Sequence, residues 1–240
     1  MLCIAVFQLD AQPRRDQYQL TIFPWGILMS SNKLNVLCVV AHPDDLELMA
    51  GGTISRWIGE GHSVHALTLS NGVWTAPNGE NMRVAEAALA EETQAAQVLG
   101  FKVENLKYPA MDLKYEDRTV VEVLRRIEGF KVNTIICPWE RDIHHDHEIA
   151  SRIAVAASRR VPRVLMGQIN NYLRDIFTPN VFVDISKTWE KKIKALMCYE
   201  TEWARAGKDW YEFLDDTTKY YGRMIGVERA EGFISRKFLL

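Results

Sequence analysis

Leu34-Asn35-Val36-Leu37-Cys38-Val39-Val40 runs directly into Ala41-His42-Pro43-Asp44-Asp45-Leu46-Glu47. The first seven residues are an apolar, β-branched run, which predicts a buried strand. The polar seven that follow fall at that strand's C-terminal end, where open α/β sheets hold their ligands. His42, Asp44, Asp45 and Glu47 place one imidazole and three carboxylates within a single turn. A turn that dense in acid repels itself unless a cation or a partner neutralises it. A metal is the first expectation.

Outward from this stretch the chain alternates strand and helix. Helical spacing covers 48–57, with Gly51-Gly52 allowing close packing near its start, and a strand covers 63–69. A polar, glycine-bearing loop over 70–81 leads to a helix over 82–99, closed by Gly100. A strand over 103–108, a helix over 118–128 and a strand over 132–138 follow. The helix over 148–160, the strand over 181–185 and a helix over 187–201 capped by Ser186 complete the pattern. Repeated β-α units with short connections predict an α/β fold. The expected form is a Rossmann-like three-layer sandwich, a mostly parallel sheet flanked by helices.

The 240 residues are 48% hydrophobic, enough for one substantial core, and one domain over 31–240 is expected. A net charge of −2 argues against a general nucleic-acid binder. No stretch approaches the roughly 20 apolar residues that span a bilayer. The four cysteines form no CxxC pair, which fits a reducing, cytoplasmic setting. Residues 1–30 read as an N-terminal extension, with Met29 a candidate native start.

A second polar concentration, Trp139-Glu140-Arg141-Asp142-Ile143-His144-His145-Asp146-His147, also leaves the end of a predicted buried strand. In a parallel sheet the two clusters meet at one edge. A catalytic zinc site takes three nitrogen or oxygen ligands and keeps a position open for water. Two imidazoles and a carboxylate, with carboxylates to spare, suit hydrolysis. An Asp-Asp pair before a helix is commonly only a cap, and a lone histidine only a hydrogen-bonding residue. Two such clusters at equivalent strand ends outweigh that plainer explanation. Gly51-Gly52 makes no GxGxxG, so a nucleotide-binding loop is absent from this stretch.

These residues resemble the LmbE-like (PIG-L) zinc-dependent N-deacetylases. Residues 41–47 look like the family's AHPDD-x-E signature, and Asp142-x-His144-x-Asp146-His147 looks like its second motif. Further likeness lies in Ala95-Ala96-x-x-Leu99-Gly100, in 179–185 with 190–193, and in Ala230-Glu231-Gly232-Phe233. The resemblance implies zinc, or another divalent transition metal, on His42, Asp45 and His147. It implies Asp44 as general base, and His144 as oxyanion stabiliser or acid. Asp146 would orient a neighbouring histidine, and Glu47 would support the site or cap the helix.

The chain also departs from the family pattern. His145 stands where proline is common, and adds an alternative ligand or proton carrier. Ala88 stands where many relatives carry an arginine three residues before the glutamate matched by Glu91, and Arg83 is the candidate substitute. Ala110 follows Pro109 where relatives often have aspartate, with Asp112 two residues on. Asn71, Arg83, Asp112 and His145 are therefore the candidate substrate contacts. The expected activity is removal of an acetyl group from an N-acetylated amino sugar or glycoconjugate. The alternatives are a zinc amidase on another acyl-amine and a carbohydrate-binding protein with an inert metal site. Aromatic residues between Trp203 and Tyr221 read as a packed helical cap rather than a sugar-stacking wall; with residues 1–30 they are the candidate material for a homo-oligomer interface.

Overall fold

The computed structural model describes residues 33–239, so the expectations for residues 1–30, Met29 included, lie outside the described residues. From Lys33 onward the chain forms one compact unit. Its first strand, β1 (Asn35–Val40), has Val36 to Val40 fully buried because both of its faces are covered. Val36, Cys38 and Val40 face one hydrophobic cluster and Leu37, Val39 and Ala41 the other, the two-residue alternation of a strand splitting one apolar run between two cores.

After β1 come α1 (Asp45–Gly59), β2 (Ser63–Ser70) and a hairpin of β3 (Trp74–Thr75) and β4 (Asn81–Arg83). Then follow α2 (Ala85–Leu99), β5 (Lys102–Tyr108), α3 (Asp117–Gly129), β6 (Thr134–Pro138) and α4 (His145–Ala157). The chain closes with β7 (Arg163–Gly167), β8 (Val181–Asp184), α5 (Trp189–Leu196), α6 (Glu200–Ile225) and β9 (Ala230–Phe238). The seven-stranded sheet has the order β5-β2-β1-β6-β7-β9-β8. Its first five strands are parallel, and β9 runs antiparallel between β7 and β8. The chain moves outward from β1 to β2 and β5, then returns to lay β6 on β1's other side. That reversal makes the β1/β6 boundary the switch point, the crevice where such sheets bind ligands. Helices α1, α2 and α5 pack on one face, α3 and α4 on the other. No described helix is long and apolar enough to cross a membrane.

Several element boundaries differ from the sequence reading. The 70–81 loop contains β3 and part of β4, and α2 starts at Ala85, leaving Arg83 on the hairpin. The helix expected over 187–201 is two helices broken at Tyr199, whose φ of −84° and ψ of 66° leave the helical region. Ser186 does not cap it: its hydroxyl donates to Asp184 (2.6 Å), and Thr188 occupies the N-cap position. Strands β7 and β9 have no counterpart in the sequence reading. In the C-terminal segment Trp203, Trp210 and Phe213 pack against the core and Tyr221 is buried, whereas Tyr220 is exposed.

One buried ion pair ties the last strand to the first helix. Lys192 of α5 and Glu231 of β9 meet at 2.6 Å, both almost fully enclosed. Lys192 Nζ also donates to Leu48 O (2.8 Å), and Glu231 accepts from Gly52 N (3.0 Å) and Thr53 N (2.7 Å). The ion pair thus engages Leu48 O and Gly52 N, groups one helical turn apart in α1. Glycine suits Gly52, where a Cβ would lie 2.8 Å from Ile185, and Gly51 is tight, where one would lie 3.1 Å from the Lys192 stem. Lys192→Met, which strands the buried carboxylate, is expected to cost about 3–5 kcal/mol in urea unfolding. Adding Glu231→Gln to that variant should return part of the loss, and equal stability of wild type and Lys192→Met would refute this account of the pair.

Candidate metal centre

The chain leaves β1 at Ala41 and enters α1 at Asp45, and Asp44 between them takes φ 103° and ψ −29°. A non-glycine residue there is strained by about 1–3 kcal/mol. The kink separates two adjacent carboxylates. Asp44 is the N-cap residue but makes no side-chain cap, because Arg83 Nη1 holds its Oδ2 at 3.0 Å. Asp45 turns back, its Oδ2 accepting from Ala41 N (3.1 Å) and His42 N (2.8 Å). The plainer explanation of Asp44 as a helix cap therefore fails.

From β6 the chain turns through Asp142 and His144 into α4. His147 Nε2 lies 3.2 Å from Asp45 Oδ1 and 3.3 Å from His42 Nδ1, and His42 Nδ1 lies 3.6 Å from Asp45 Oδ2. Three donors around one tetrahedral ion at about 2.1 Å would stand about 3.4 Å apart. The residues present thus fit a first-row divalent cation. A wider set of His42, His144 and His147 brings its donor atoms within 4.8 Å of one another. Asp45 places one oxygen 3.2 Å from His147 Nε2 and the other 3.6 Å from His42 Nδ1, whereas His144 Nδ1 already accepts Asp146 N–H at 3.2 Å.

Both inner imidazoles are oriented from behind. His42 Nε2 meets Asp146 Oδ2 at 2.9 Å and His147 Nδ1 meets Asp142 Oδ2 at 2.8 Å. A carboxylate on the outer nitrogen fixes the tautomer and turns the inner lone pair toward an ion. Asp146 is itself held by Met111 N (2.6 Å) and Leu113 N (3.1 Å) from the loop after β5. Burial pulls both imidazoles down, but the carboxylates prevail. Asp146 and Asp45 hold His42 up at about 9, and Asp45 and Asp142 hold His147 up at about 10. The pocket is built for positive charge. Protons and metal compete for it, so metal affinity falls as pH falls.

The remaining groups carry other features. Burial lifts the Asp44 carboxyl to about 7, with Arg83 pulling against it and the Asp45 charge adding to it. Burial, then the charges of His147 and His42, lower His144 to about 4. That ring is neutral near pH 7 and, with Nδ1 accepting, carries its proton on Nε2.

Other expected site residues point elsewhere. Glu47 is buried and bonded to Tyr199 Oη (3.0 Å), so it braces the α5–α6 junction rather than a ligand histidine. His145 is exposed and turned to Leu113 O (3.1 Å). The Asn71 carbonyl accepts from Val73 N (3.1 Å) and Ala110 N (3.3 Å), and Asp112 is exposed beside Lys114. Asp142, behind His147, carries no role in the sequence reading. Its place in the second acidic cluster, five residues before a ligand candidate, is the signal that marks it.

The PIG-L family model, described as GlcNAc-PI de-N-acetylase, matches residues 37–158. Diacetylchitobiose deacetylase of Thermococcus kodakarensis is 28% identical over 222 residues, 82% of this chain and 81% of that protein. A 4-oxalmesaconate hydratase of Pseudomonas putida is 24% identical over 196 residues, 71% of this chain and 74% of that protein. A solved structure of a conserved protein from Thermus thermophilus superposes with a TM-score of 0.72 at 27% identity, covering 86% of this chain and 96% of that one.

Asp142→Asn keeps shape but weakens the hold on His147. It should lower divalent-metal affinity about 10–100-fold in chelator competition with the folded protein. Undiminished affinity would remove Asp142 from the centre.

Proposed function

Because the chain belongs to the PIG-L family, whose model spans more than half of it, we propose that it is a metal-dependent hydrolase removing acetyl groups from an N-acetylated amino sugar. The observation that carries this is the convergence of His42, Asp45 and His147, each imidazole backed by a carboxylate, beside a separately held acid at Asp44. We assign zinc, which two imidazoles and a carboxylate suit. When bound, the ion supplies a Lewis acid that acidifies water and polarises an amide carbonyl.

The chain's own groups do the rest. Asp44 accepts the proton of the attacking water and later gives it to the departing amine nitrogen. A carboxyl lifted to about 7 suits a group that must take and return a proton near neutrality. His144 Nε2–H donates to the carbonyl oxygen as negative charge develops there. A neutral donor performs this without repelling the cation. Free Cys38, Cys137 and Cys198 support a reducing, cytoplasmic location.

A second reading, hydration of an unsaturated acid, rests on the similarity to the hydratase of Pseudomonas putida. The acetyl assay separates the two. Acetate should be released from N-acetylglucosamine derivatives only when metal is present. Asp44→Asn should keep its metal and lose about 100- to 10,000-fold in turnover. A metal-loaded protein inert toward the whole panel would overturn the amino-sugar reading, and full activity in Asp44→Asn would exclude that residue as base.

A further inference from the structure

Arg83 lies on β4, outside the two polar motifs, yet it reaches the acid that moves the proton. Nη1 donates to Asp44 Oδ2 (3.0 Å) and to Pro43 O (3.3 Å), while Nη2 donates to Glu91 Oε2 (3.2 Å). Glu91 is anchored in turn by Thr201 N and Thr201 Oγ1, each at 2.8 Å, at the start of α6. The guanidinium also sits over the Tyr199 ring, 5.5 Å from its centroid. At 4% exposure it offers no open face to a ligand, and both ends of its fork are already engaged by Asp44, Pro43 O and Glu91. A substrate anchor would need the opposite, an exposed fork free to pair.

The carrier of Arg83 matters as much as its contacts. Arg83 pairs with Trp74 across the hairpin, and Arg205 of α6 lies 5.2 Å from the Trp74 ring centroid. One continuous path therefore runs from α6 through Thr201, Glu91 and Arg83 to the strained peptide at Pro43-Asp44. We propose that Arg83 is a positioning residue that holds the Asp44 carboxylate in its working orientation, and that the β3–β4 hairpin delivers it. This rests on the deacetylase reading for its kinetic test, but the brace itself is a property of the fold.

Strain explains why a brace is needed. Asp44 adopts φ 103° and its side chain forms no cap hydrogen bond, so neighbouring backbone gives the carboxylate no local anchor. Arg83 supplies one from a distant element. A misplacement of about 1 Å in a reacting group can cost about 100-fold in rate.

The test compares Arg83→Met, Arg83→Lys and Arg83→Ala with wild type. Arg83→Met should lower kcat about 100-fold with KM and bound metal unchanged. Arg83→Lys should keep part of the rate, because one ammonium cannot bridge two carboxylates and a carbonyl in the same geometry. Added guanidinium should restore about tenfold or more to Arg83→Ala, a recovery that a merely structural defect would not show. Should Arg83→Met fail to fold, Glu91→Gln should give a smaller fall in kcat at constant KM. A raised KM with kcat preserved would overturn the proposal in favour of substrate anchoring. Activity lost beyond rescue by guanidinium would overturn it too. A crystal structure of Arg83→Met tests the brace without any substrate: a displaced Asp44 side chain is expected, and an unmoved one refutes it. Absence of acetate release by wild type would instead count against the deacetylase reading alone.

Discussion

The parallel pairing of β1 with β6, Val36 to Thr134, Leu37 to Ile135 and Cys38 to Ile136, sets two segments distant in sequence side by side. Parallel strands present their C-terminal ends at the same edge, so whatever follows each strand must meet there. His42 and Asp45 follow one, Asp142 to His147 the other. No loop has to stretch to assemble the centre. The fully buried strands fix its position, and the helices α1 and α4 that begin at the site fix the direction of the ligands. Rigidity of this kind holds His42 Nδ1 and His147 Nε2 3.3 Å apart and each within 3.6 Å of an Asp45 oxygen.

Adjacent aspartates would ordinarily share an environment and raise each other's pKa. Here one unfavourable dihedral gives them different partners, although the Asp45 charge still adds to the rise of Asp44. Asp45 is held well below the usual carboxylate range by His147 and His42 despite burial, while Asp44 goes up. Two like groups acquire unlike chemistry because the backbone between them is bent into a region that strains an aspartate. The opposing charges of Arg83 and of the histidines keep both acids inside.

Much of this is legible in the sequence because its causes are local. The buried run 35–40, the turn into α1 and the left-handed Gly100 that ends α2 each announce themselves in a few residues. Strands β7 and β9 do not. Arg163 to Gly167 is short, follows a proline and contains methionine, so its pattern is ambiguous. In β9, Glu231 occupies a fully buried position, which hides the apolar alternation until its partner Lys192 is seen. The break at Tyr199 is invisible for a similar reason: an aromatic residue in a helical pattern stops the helix to reach Glu47. Arg83 stands out in the sequence as a stray arginine, but its link to Asp44 depends on a hairpin that composition alone presents as a loop. Polar residues whose partners lie far along the chain are where a single sequence is least informative.

The Lys192–Glu231 pair has a bearing on how the protein is made. The helix that carries Asp45 is clasped by β9, which is synthesised after every one of the metal-site donors. During synthesis the two histidines and Asp45 are therefore present before the clasp that steadies their helix exists. Arrival of β9 completes the Lys192–Glu231 clasp on α1, so a strand remote in sequence from the donors steadies the helix that carries one of them.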